Sequence, residues 1–158
     1  MPNRKMIALR TLELSYHPLL EQVIKDDYYP LTKQTQLSCL SDQEISRLLE
    51  QITLPVICHP TLPSQYYLLA PATDFLFLKQ CSHAMTQQVQ LNIYPLDEAE
   101  AIIETLSFIH PCLQHGLLIT SLQNISKRHQ LAKQHQLSPP TKKKMAVIAD
   151  TSPTAIRH

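Results

Sequence analysis

The sequence predicts an α+β fold in which short strands and short helices alternate ahead of a helical carboxy-terminal segment. Apolar spacing switches repeatedly between a period of two and a helical period, the mark of mixed elements. Twelve prolines among 158 residues cap the length of any single element. A hydrophobic content of 44% against 17% charged residues supplies enough apolar mass for one globular core with appendages. The lone glycine, Gly116, excludes architectures that bring a phosphate onto bare backbone through a glycine-rich loop, such as dinucleotide-binding and P-loop folds.

Met6 to Leu14 alternates well enough to form one strand, with Ile7, Leu9, Leu12 and Leu14 apolar and a slip of phase near Arg10. An irregular, turn-rich stretch follows through Tyr28, Tyr29 and Pro30. Ser41-Asp42-Gln43-Glu44 is a capping box, and Ile45, Leu48, Leu49 and Ile52 continue from it at helical spacing. Leu54 to Cys58 and Gln65 to Ala70 are two β-rich runs. Pro60 and Pro63 between them predict a hairpin whose connection exceeds a two-residue turn.

Thr73-Asp74 is placed to cap a short helix over Phe75 to Gln80, and Gln88 to Tyr94 alternates as a further strand. Asp97, Glu98 and Glu100 occupy the first turn of the next helix, where carboxylates meet the positive end of the dipole; Ala101, Ile102, Thr105, Leu106 and Ile109 form its apolar face. Pro111 ends or kinks that helix. A second, Gln-rich helix is expected from Leu113 through His129 to Gln136, and Ser138-Pro139-Pro140 then breaks the chain.

Charge divides the sequence. Before Lys127, twelve acidic residues face seven basic ones; from Lys127 onward seven basic residues face the single acid Asp150, for balances of −5 and +6. An acidic body with a basic tail is the pattern expected when the tail meets a polyanion. The alternative is a basic terminus that is simply solvated. No run of 18 apolar residues and no secretory segment is visible, so a cytoplasmic protein without membrane association is expected. Cys39, Cys58, Cys81 and Cys112 lie far apart, which predicts reduced, buried small hydrophobes.

The order of elements is similar to that of the amino-terminal domain of ParB-type partition proteins, whose fold is shared with sulfiredoxin. Tyr66-Tyr67-Leu68-Leu69-Ala70 followed by a helix resembles the strand that leads into that family's Gly-Glu-Arg-Arg box. Val89 to Leu96 followed by Asp97-Glu98-Ala99-Glu100-Ala101 resembles its strand and acidic helix start. The resemblance covers Met6 to Leu113 and implies a ParB/sulfiredoxin-like small mixed sheet with packed helices.

Where that family binds nucleotide, this chain departs from it. The box falls on Pro71, Ala72, Thr73 and Asp74, so its glycine is a proline and both arginines are gone. The second box, Glu-Asn-x-x-Arg, falls on Glu104-Thr105-Leu106-Ser107-Phe108, which keeps the glutamate and loses the arginine. Each lost arginine removes a bidentate phosphate contact worth roughly 1.5 to 3 kcal/mol. The resemblance therefore implies a degenerate nucleotide site at Pro71, Ala72, Thr73, Asp74, Glu104 and Thr105, with no cofactor and no CTPase or nuclease activity.

Lys144 to His158 looks like a helix-turn-helix, the element that follows the nucleotide domain in that family. Ala146 supplies the small residue where two helices cross, and Ile156, ten positions on, the apolar lock. The turn departs from the pattern in carrying Asp150 where glycine or a similarly permissive residue is usual, although Asp tolerates left-handed geometry better than most. Ser152 is a good N-cap and Pro153 suits the first helical position, so Ser152 to His158 reads as the start of a recognition helix. The expected DNA contacts are Lys142, Lys143 and Lys144 on phosphates, with Ser152, Thr154 and Arg157 at the recognition helix.

Other clusters read more simply as structure. Cys58-His59, Cys81-Ser82-His83 and Cys112-x-x-His115 lack the four convergent ligands of a structural zinc, so no metal is expected. Asp26-Asp27 reads as a turn, and one tyrosine of Tyr28-Tyr29 and of Tyr66-Tyr67 is expected in the core. The domain organisation expected is residues 1–112 as the ParB/sulfiredoxin-like domain, 113–138 as a connecting helix, and 139–158 as a partial helix-turn-helix. The expected function is that of a non-enzymatic, double-stranded-DNA-associated protein of plasmid or chromosome partition or mobile-element maintenance. The alternative is a protein-interaction or self-associating module of the same fold that binds no nucleic acid.

Overall fold

Residues 1–27, 36–117 and 122–156 are described in the computed structural model of the chain. They pack as two units, Met1–Tyr28 with Leu40–Leu113, and Tyr29–Cys39 with Gln114–His158.

The first unit contains β1 (Asn3–Ala8), β2 (Glu13–Tyr16), α1 (Pro18–Ile24), α2 (Asp42–Glu50), β3 (Thr53–Cys58), β4 (Gln65–Leu68), α3 (Thr73–Lys79), β5 (Gln88–Ile93) and α4 (Ala99–Glu104). Its sheet runs β1-β5-β3-β4-β2. The β1–β5 and β3–β4 pairs are antiparallel, whereas β3–β5 and β2–β4 are parallel, so the sheet is mixed. Alternation along the strands sends side chains to both faces. Leu54, Val56, Tyr66, Leu68, Val89 and Leu91 bury one face beneath Ile45 and Leu49 of α2 and Phe75 and Leu78 of α3. Ile57 and Leu69 face the other way, into a cluster with Leu20 of α1 and Ala99 and Ile103 of α4. The architecture is the α+β class that the element pattern predicts. The hairpin is present, with Ile57 opposite Tyr67.

Several local expectations are corrected. Met6 to Leu14 is not one strand: a 3-10 turn over Leu9–Thr11 separates β1 from β2. Leu9 and Leu12 are both buried, and a strand would send residues three apart to opposite faces, whereas a 3-10 turn brings them to the same one. The stretch after Tyr16 begins as a helix, because Pro18 takes its first position and the His17 imidazole accepts from the Leu19 N–H at 3.1 Å. The pair Tyr28-Tyr29 lies outside the described residues. At α2 the capping box is complete: Ser41 Oγ accepts from the Glu44 N–H at 3.2 Å, and Glu44 Oε1 from the Ser41 N–H at 3.1 Å. Thr73-Asp74 do not cap α3; they are its first residues, behind an N-cap Ala72 that makes no side-chain cap.

Pro111 does not end the helical run that starts with α4. A π-helical turn over Thr105–Ile109 leads into α5 (His110–Leu117) with Pro111 at its second position. The wider turn removes the i−4 contact that a proline ring would otherwise crowd.

The second unit contains α6 (Leu122–Gln134) and α7 (Lys142–Ile148), followed by a 3-10 turn over Pro153–Ile156. The expected helix to Gln136 stops at Gln134, and residues 118–121 lie outside the described set. Gln136 is left-handed at φ 60°; the Leu137 N–H bonds to Ala132 O at 3.0 Å and the Gln136 N–H to Lys133 O at 3.2 Å, a Schellman ending. Ser138-Pro139-Pro140 lies within this unit, where Pro140 O accepts from the His129 ring at 3.0 Å.

Candidate functional site

The basic end of the chain is organised around α7. Thr141 caps it, its Oγ1 accepting from the Lys144 N–H at 3.1 Å. Lys142, Lys143 and Lys144 therefore fall in the first turn, with no acidic residue beside them there. Cations at this end oppose the helix dipole, each at a cost of about 0.3 to 1 kcal/mol, so helix stability does not account for their placement. Lys143 is exposed, as are Lys127, Arg128 and Lys133 of α6, three cations that the sequence reading counted as charge but did not assign to a site.

Downstream, α7 closes as α6 does. Asp150 is left-handed at φ 48°, with the Thr151 N–H on Ala146 O at 3.0 Å and the Asp150 N–H on Val147 O at 3.2 Å. The turn residue thus has the conformation expected of it. Ala146 and Ile156 are both buried, and the 3-10 turn that carries Ile156 packs on α7 and on α6. Ser152 and Thr154 are exposed, their hydroxyls 2.6 Å apart. In place of an α-helical start, the segment from Pro153 to Ile156 is a 3-10 turn, and Arg157 lies outside the described residues.

The positions matched to the nucleotide boxes lie in the first unit. Pro71 and Ala72 lead from β4 into α3, and Thr73 and Asp74 open that helix, both exposed. Glu104 ends α4 and is exposed; Thr105 begins the π turn and donates to Ala101 O at 2.9 Å. Leu69, two residues before Pro71, and Ile103, beside Glu104, share one apolar cluster. The ionisable groups among these six positions are two carboxylates, Asp74 and Glu104.

Elsewhere the buried-cysteine expectation is corrected. Cys58 and Cys112 are exposed, and Cys39 and Cys81 half-buried; Cys58 sits at the last position of β3, where the strand leaves the core. Tyr66 is the core member of its pair, while Tyr67 lies between His59, at 4.8 Å, and His17, at 5.6 Å between ring centroids. Among the described residues, no three metal-ligating side chains converge and no helix is long and apolar enough to cross a membrane. One constellation escaped sequence reasoning altogether: Ser46 and Asp42 of α2 meet His83, which is 37 positions beyond Ser46.

By sequence, no family model and no curated protein matches the chain. By structure, it is similar to the C-terminally truncated chromosome-partitioning protein ParB from Caulobacter crescentus complexed with CTP-gamma-S. The TM-score is 0.52 with 13% identity, over 98% of this chain and 74% of that one. The chain has a ParB-like fold.

Proposed function

We propose that this is a DNA-associated protein of ParB-like fold whose basic carboxy-terminal unit meets double-stranded DNA and whose nucleotide site is degenerate. The observation that carries the reading is the grouping of Lys142, Lys143 and Lys144 at the start of a helix that closes, through a left-handed Asp150, onto a second short turn. The buried pair Ala146 and Ile156 gives that helix and turn the packing a helix-turn-helix needs. In this reading the lysines neutralise phosphates, and Thr154 and Arg157 approach base edges.

Nucleotide plays no part in the reading. CTP carries a triphosphate, and the six matched positions offer it two carboxylates, no arginine and a proline in place of the glycine. Their side chains do not fit the group. Partition or mobile-element maintenance is the cellular role consistent with the fold.

A second reading, a protein-interaction or self-association module, is favoured by Phe108, Ile109 and Leu113, exposed at 56%, 66% and 58% along the π turn and α5. Salt separates the two. Duplex-DNA binding is measured for the intact chain and for a chain ending at Gln136, at low and moderate salt. Binding that weakens steeply with salt and is lost with the tail is the expected result. No binding at low salt overturns the DNA reading and leaves the interaction module.

A further inference from the structure

Asp42 and Ser46 stand one helical turn apart on α2, and the 3-10 turn over Ser82–Thr86 lays His83 across both. Ser46 Oγ lies 3.0 Å from His83 Nε2, while His83 Nδ1 lies 3.7 Å from Asp42 Oδ2. Gln87 Nε2 also reaches His83 Nε2, at 3.1 Å. The Ser46 hydroxyl and the Gln87 amide compete as donors for the one lone pair of Nε2, and the tautomer that accepts there has its proton on Nδ1, on the side of the carboxylate. The turn around the ring is braced: Thr86 Oγ1 donates to His83 O at 2.8 Å and accepts from Gln87 Nε2 at 3.2 Å.

The frame beneath is anchored in the core. Ile45 and Leu49 flank Ser46 on α2, Ala84 follows His83, and all three are buried. The His83 side chain itself is 26% exposed and that of Asp42 75%, so the group is open to solvent on the carboxylate side. A hydroxyl within hydrogen-bond reach of an imidazole, with a carboxylate near the ring's other nitrogen, approaches the arrangement of an activated nucleophile.

We propose that Ser46 is a nucleophilic serine that takes acyl groups from small, unhindered esters. In the forward step the Ser46 Oγ–H proton passes to His83 Nε2 while Oγ bonds to the ester carbonyl carbon. The tetrahedral adduct then expels the alkoxide, which takes that proton from His83 and leaves as the alcohol. Water attacks the acyl-Ser46 ester with His83 again accepting the proton, releasing the carboxylic acid and restoring the hydroxyl. Asp42 acts as a positioning residue: at 3.7 Å it faces the protonated Nδ1 and draws closer as the imidazolium forms. The site is separate from the DNA reading, whose residues all lie in the other unit.

The test uses the full chain with p-nitrophenyl acetate, reading the p-nitrophenolate burst and locating the acetyl group by peptide mass spectrometry. The expected result is acetylation of Ser46, abolished by Ser46→Ala and slowed about 100-fold by His83→Gln. Asp42→Asn is expected to slow acylation and Asp42→Glu to restore it. Because His83→Gln can perturb the packing of its turn, the unmodified chain supplies an independent comparison. Ser46 acetylated faster than the exposed Ser15 and Ser152 supports the proposal. Ser46 acetylated no faster than these, label confined to lysine and cysteine, or equal Ser46 labelling in a folded His83→Gln chain overturns it.

Discussion

The two units solve the problem of burial differently. The first closes both faces of a mixed sheet with helices and hides large apolar side chains on each, among them Phe75, Leu54 and Leu91 on one face and Leu20 and Ile103 on the other. In the second, the buried residues among those described are Ala146, Ile156, Ser126 and His129, two of them polar, and Ser126 Oγ has no partner among the described residues. Among the described residues, large apolar side chains are buried mostly in the first unit. The first unit is built as a scaffold, whereas the second carries the net basic charge of the sequence.

Core truncation tests that contrast most strongly. Phe75→Ala removes a fully buried ring and is expected to destabilise the first unit by roughly 3 to 5 kcal/mol, read by urea unfolding. Ile156→Ala is expected to remove hydrogen-exchange protection over α7 while leaving β3 and β5 protected. Equal loss of protection in both units would end the contrast.

The next largest effect concerns charge. Lys142→Gln, Lys143→Gln and Lys144→Gln together are expected to weaken duplex-DNA binding and to reduce the magnitude of the slope of log affinity against log salt by about 2.7, the value for three phosphate contacts. Asp74→Asn in the first unit is expected to leave that slope unchanged. A slope that stays the same in the triple variant breaks the assignment of the lysines to phosphate.

How much was legible follows the same line between local and non-local causes. The capping box of α2 is spelled in four consecutive residues, and the structure completes it. The left-handed turn at Asp150 was legible because few residues tolerate that geometry, and Asp is one of them. The 3-10 turn at Leu9–Thr11 left only a phase slip near Arg10, since its cause is the joint burial of Leu9 and Leu12 by the rest of the core. At α1 a histidine does the capping, a type outside the usual N-cap set. The π turn before Pro111 depends on a shift of hydrogen-bond register that no residue type encodes. Ser46 and His83 meet only because the sheet folds α2 and the 82–86 turn onto one face, and nothing in the spacing of the two residues announces it.

Helix ends give the two smaller effects. Ser41→Ala removes the acceptor for the Glu44 N–H and half of a reciprocal box, so thermal or urea unfolding of the first unit is expected to show a loss of about 1 kcal/mol. Glu44→Gln is expected to cost less, because the amide oxygen still accepts from the Ser41 N–H. A loss as large as that of Ser41→Ala would mean that the charge of Glu44, rather than its hydrogen bond, holds the helix start.

In the second unit the corresponding change goes the other way. Gln136 adopts φ 60° at the Schellman ending of α6, a conformation in which a side chain crowds the backbone and glycine does not. Gln136→Gly is therefore expected to stabilise the ending of α6 by about 0.5 to 1 kcal/mol, after the greater freedom of glycine in the unfolded chain is set against the relieved strain. Hydrogen exchange at the Leu137 N–H, which bonds to Ala132 O, reads the effect directly. Slower exchange there, with the first unit unchanged, would mean that the second unit carries avoidable backbone strain at the end of α6. Faster exchange would mean that the Gln136 side chain makes a contact worth more than the strain, and the ending of α6 would then be held by that side chain as well as by its backbone hydrogen bonds.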